Sequence, residues 1–207
     1  MVEPEPAAAE IQIESGLQRL EAFSDAVMAV IMTIMAFNLR PPAAPTAAAV
    51  ADRMPSLLVY ALSFAVIGIY WNNHHHLLRS ATRLSGFVMW ANLLLLFWLS
   101  LIPVLTNWLA GSYQHSLPAA LYGAVALLAG AAYNILVRAL IRANGRDSAL
   151  ARAVERDVKG LTSLVLYAAG VALAFAAPWL AYVLYVAVAV MWIVPDPRLV
   201  RPTRRAA

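Results

Sequence analysis

The sequence predicts an all-α membrane protein with six transmembrane helices in each subunit, and three observations carry that prediction. The 207 residues are 62% hydrophobic and 13% charged, with a mean hydropathy of +0.70, whereas about a quarter of the residues in a soluble domain are charged. The apolar residues fall into six stretches separated by polar turns. With the N-terminus in the cytoplasm, six crossings place Arg19, Arg79, Arg83, Arg138, Arg142, Arg146, Arg152, Arg156, Lys159, Arg198, Arg201, Arg204 and Arg205 inside and only Arg40 and Arg53 outside, an asymmetry that sets orientation.

Residues 1–15, with Pro4, Pro6, three consecutive alanines and scattered Glu, have no apolar face to bury and read as a disordered cytoplasmic tail. The first span runs from Gly16 to Leu39 and is stopped by Pro41-Pro42, because proline lacks the amide and disfavours helix in the residue before it. It is preceded by acidic residues and lacks an A-x-A cleavage site, so it is expected to remain in the mature protein. A Pro/Ala loop then continues to Asp52.

The second span, Met54 to Leu78, ends in Trp71-Asn72-Asn73-His74-His75-His76. Arg79 and Arg83 bracket a tight turn into the third span, Leu84 to Trp108, which carries an internal Pro103. The fourth span, Pro118 to Ile141, is followed by the most hydrophilic stretch of the chain, Arg142 to Lys159. Spans five and six, Gly160 to Ala177 and Pro178 to Val194, meet at Ala177-Pro178 as a hairpin of short helices. Residues 16–194 thus form one transmembrane domain, and residues 195–207 a basic cytoplasmic tail.

Composition narrows the function classes. The net charge of +4 sits in short loops rather than in a stripe with interleaved aromatics, so no nucleic-acid partner is expected. Cysteine is absent, which leaves no disulfide, thiolate metal site or thiol chemistry to argue from. No G-x-S-x-G, H-E-x-x-H or phosphate loop occurs, and the chain reads as a non-enzyme without a cofactor. His74, His75 and His76 are consecutive, and neighbours on a helix point about 100° apart, so one segment cannot bring them to a single metal ion.

The first span carries the polar residues that matter most. Asp25 lies about two turns into it, where an ionisable group is costly unless paired or wetted. The second span runs antiparallel, so Trp71 and His74 to His76 lie at the depth of Arg19 to Asp25, and a cluster across the two helices would satisfy these groups. Beyond Asp25, residues Ala26, Val30, Thr33 or Ile34, and Phe37 form a stripe at spacings of three and four. That stripe is either a packing seam or the wall of a water-filled axis, and Thr33 is the polar side chain that points to the second.

Arg19, Phe23, Ser24 and Asp25 read R-x-x-x-F-S-D at the start of the first apolar helix, and Trp71, His74 and His75 read W-x-x-H-H at the end of the second. On these residues the chain resembles the endolysosomal-type potassium channel family, more closely its short bacterial homologues with six membrane helices per subunit. The resemblance implies passive conduction of K+ through a pore lined by the first helix, with Val30, Thr33, Ile34 and Phe37 forming its constriction and selectivity rings. It also implies that Arg19, Phe23, Ser24, Asp25, Trp71, His74 and His75 form a bracing polar network. The expected partners are further copies of the chain, as a homotetramer, together with membrane lipid and potassium ions in a bacterial plasma membrane. There is no T-V-G-Y-G filter, so selectivity could not come from a carbonyl cage. The alternative is a proton-leak or proton-coupled pathway through Asp25 and His74 to His76.

Overall fold

The computed structural model describes residues 6–145, 147, 148, 150, 151 and 158–193, with side chains from Gly16 onward. It contains α1 (Pro6–Phe37), α2 (Ala47–Arg79), α3 (Gly86–Ser100), α4 (Ile102–Gly111), α5 (Ser116–Asn144), α6 (Val158–Ala174) and α7 (Pro178–Ile193). Helices α3 and α4 together make one span of 26 residues, Gly86–Gly111, broken at Leu101. Pro103 lies in the first turn of α4 and cannot donate to the preceding turn, which is the cause of the break.

Four spans are long and apolar enough to cross a bilayer, and two shorter apolar helices, α6 and α7, complete the six. At 1.5 Å per residue these two reach only about 25 Å, just under the hydrocarbon thickness. The chain is therefore a multi-pass membrane protein, as its composition predicts.

Two helix starts differ from the sequence reading. Helix α1 begins at Pro6 instead of Gly16, because proline suits the first helical position and the alanines that follow are the best helix formers. Residues 1–5, the expected tail 195–207 and Val194 at the end of the expected sixth span lie outside the described residues, as does part of the 142–159 loop. Helix α2 begins at Ala47, so the expected loop to Asp52 is shorter. Thr46 caps it, its hydroxyl accepting from the Ala49 amide at 3.2 Å, and Pro55 sits inside the helix rather than at its start.

Helix α5 is the centre of the bundle, packed against α3, α4, α6 and α7, while α1 lies at the edge against α2, α3 and α4. The closest approach is at Tyr185 of α7. Its ring fills a slot over Gly123 of α5 and Gly170 of α6, where an added Cβ would come within 1.9 Å and 2.5 Å of it. The Tyr185 hydroxyl donates to the Ala119 carbonyl at 3.1 Å, so the ring is held both by shape and by a buried hydrogen bond.

Candidate functional site

Helix α1 has two faces. Leu20, Ser24, Met28, Ile31 and Met35 are buried against the rest of the subunit. Phe23, Val30, Ile34 and Phe37 are exposed, Phe37 at 83%, and Thr33 is exposed beside them. These residues share one exposed face of α1, where Val30 and Ile34 line a groove with Ser100, Pro103 and Val104. The Thr33 hydroxyl donates to the Ala29 carbonyl at 2.8 Å. Its only hydrogen is thus engaged in its own helix, and the oxygen keeps acceptor capacity toward whatever faces the stripe.

At the opposite face, near the foot of α1, a buried polar chain links three helices. Ser24 Oγ donates to the Leu20 carbonyl at 2.8 Å, so it can only accept from its other neighbour. Asn92 of α3 accordingly turns its amide nitrogen to Ser24, donating at 2.9 Å. Its carbonyl oxygen then faces His74 of α2 at 2.7 Å, which makes His74 the donor through Nε2. Ser24, His74 and Asn92 are all fully buried.

His74 Nδ1 and Asp25 Oδ1 are buried and without a hydrogen-bond partner among the described residues. In the Nε2–H tautomer both are acceptors, so they cannot satisfy one another. His75 turns the other way. Its Nδ1 lies 2.6 Å from Glu21 Oε1, and its ring stacks on Trp71 at a centroid distance of 6.2 Å.

The expected network is thus assembled in parts. Ser24 and His74 meet only through Asn92, and His75 meets Glu21 and Trp71. Arg19 is exposed and makes no ion pair among the described residues, and Phe23 and Trp71 are 50% and 44% exposed. Spans one and two meet directly through His75 and Glu21, while Ser24 and His74 are joined through Asn92 of the third span. His74 and His75 diverge, toward α3 and toward α1, and the His76 ring lies edge-on to His75 at a centroid distance of 5.6 Å.

Sequence reasoning missed Asn92, Ser63, Thr106 and Asn144. Ser63 of α2 donates to the Val59 carbonyl at 2.9 Å and accepts from Thr106 of α4 at 2.8 Å. Tyr122 of α5, 3.1 Å away, must then donate to it as well. This second buried chain ties α2, α4 and α5 about 16 Å along α2 from His74. At the end of the bundle beyond His74, Asn144 Oδ1 accepts from the amides of Thr82 and Arg83 at 2.7 and 2.8 Å, clamping the α2–α3 turn to the end of α5. A signal for Asn92 and Ser63 was present, since each is a lone polar residue within an apolar run, and Thr106 shares its run only with Asn107.

Comparison with known proteins places these features in a family. Residues 19–103, which run from within α1 to the first turn of α4 and hold the whole Ser24–Asn92–His74 chain, match the model of the endosomal/lysosomal potassium channel TMEM175 family. The chain is 42% identical to a potassium channel of Chryseobacterium sp. (strain P1-3) over 181 residues, 87% of this chain and 94% of that one. It is 33% identical to a potassium channel of Streptomyces collinus over 131 residues, 59% of this chain and 63% of that one. Its fold is similar to the crystal structure of a lysosomal potassium-selective channel TMEM175 homolog from Chamaesiphon minutus, with a TM-score of 0.78 and 25% identity, covering 88% of this chain and 98% of that one. With so long a match to a near relative and the same bundle throughout, the chain belongs to the TMEM175 family.

Proposed function

We propose that this protein is a potassium channel, conducting K+ passively down its gradient through a pore built by several copies of the chain around α1. The observation that carries the reading is the agreement of the whole fold with a solved potassium-selective homologue, TM-score 0.78 over 88% of the chain. One subunit places α1 at its edge with Val30, Thr33, Ile34 and Phe37 uncovered. Copies packed around an axis bring those residues into stacked rings. Apolar rings gate by expelling water, and the Thr33 oxygens offer dipoles to an ion that has shed part of its hydration shell. The assembly is a homotetramer in a bacterial plasma membrane, with residues 16–194 as the channel domain between cytoplasmic tails.

In this reading Ser24, Asn92 and His74 brace the foot of α1, and Arg19, Phe23, Asp25, Trp71 and His75 complete the brace around them. The buried chain ends on the Leu20 carbonyl one turn from Ser24 and does not run along the span, which favours bracing over a proton relay. Flux from liposomes containing only this chain tests the function. Potassium efflux faster than sodium efflux supports it, while a proton leak without potassium movement would replace it with the alternative.

A further inference from the structure

At the end of the bundle opposite His74, a cavity of about 320 Å³ opens between α1, α2 and α4. Two arginines line it from different elements, Arg40 just beyond α1 and Arg53 on α2. Neither makes an ion pair or hydrogen bond among the described residues, although Asp52 is the chain neighbour of Arg53. Asn38 and Asn107 add neutral amides to the lining, Tyr60 and Trp108 add amphipathic rings, and Met35 and Pro103 give it an apolar floor.

Arg40 is exposed and Arg53 half-buried, both line this one cavity, and neither has a counterion among the described residues, so both guanidinium groups are free to hold an anion there. The planar forks of arginine match the oxygens of a phosphate two at a time. Trp and Tyr rings concentrate at headgroup level, which sets the depth of the cavity. The apolar floor would be wasted on an inorganic ion but accommodates the glycerol and first methylenes of a lipid.

We propose that this cavity binds the headgroup of an anionic phospholipid, its phosphodiester held between Arg40 and Arg53. The site is independent of the α1 stripe and of the ion that the pore conducts.

Native mass spectrometry of the full chain, released from detergent after incubation with phosphatidylglycerol or phosphatidylcholine, tests the proposal. The expected result is retention of phosphatidylglycerol with about a tenfold preference, the equivalent of one charge-assisted contact. That preference should vanish in R40Q/R53Q and fall partway in R40K/R53K, which keeps the charge and loses the forks. Equal retention of both lipids by the unsubstituted chain overturns the proposal without any variant. So does a preference that survives R40Q/R53Q. Loss of phosphatidylglycerol on adding millimolar inorganic phosphate would assign the cavity to a free anion instead. If Asp52→Asn and R40Q/R53Q both dissociate the oligomer, the arginines pair with the Asp52 of a second copy and the lipid is excluded.

Discussion

Asn92 donates to Ser24 across 2.9 Å and 68 positions of sequence, and this contact joins the foot of α1 to α3. Because the same amide accepts from His74, one side chain satisfies two buried groups on two other helices. Replacing Asn92 by Leu should leave the His74 donor without an acceptor, and Ser24 without its donor, at a cost of about 1–2 kcal/mol. Thermal unfolding in detergent would read this as a lower midpoint with reduced oligomer yield. An unchanged midpoint would mean that the chain does not brace the helices.

Val30→Asn and Ile34→Asn should each increase potassium current, because an amide in a narrow ring keeps it wet. Thr33→Val should lower preference for potassium over sodium while leaving assembly intact. Bilayer recordings on variants confirmed as folded oligomers decide the matter. No change in conductance or selectivity in all three would remove the α1 stripe from the pore.

Gly123→Ala should destabilise the bundle by roughly 1–3 kcal/mol, since its methyl would fall within 1.9 Å of the Tyr185 hydroxyl and displace the buried ring and its hydrogen bond to Ala119. Combining it with Tyr185→Leu should recover part of the loss. A single substitution as stable as the parent would show that α5 and α7 can part at no cost.

Asn144→Ala should loosen the α2–α3 turn specifically. The amides of Thr82 and Arg83 lose their shared acceptor, at about 1 kcal/mol or less because the site is exposed. Hydrogen exchange should quicken in the peptide containing Thr82 and Arg83 and stay unchanged in α6. Unaltered exchange there would show that the turn holds without the clamp.

The arginine asymmetry predicts that the C-terminus lies on the side of Arg79 and Arg142. A reporter fused at Ala207 should be active only if it functions in the cytoplasm. Activity from a reporter that works only in the periplasm would reverse the orientation.

Legibility followed the range of the interactions. The spans, their order and the two short final helices could be read from the sequence because crossing a bilayer depends on the length and polarity of one continuous segment. The uncovered stripe of Val30, Thr33, Ile34 and Phe37 was legible for the same reason, as helical spacing alone groups those side chains. The start of α1 at Pro6 was missed because helix propensity competed with the lack of an apolar face. Ser24 and His74 could be recognised as polar groups needing partners, but Asn92 could not be named as that partner. Which of several lone polar residues on neighbouring spans face each other depends on how α2 and α3 rotate about their axes. That rotation is set by the packing of all the helices together, so only the tertiary structure decides it.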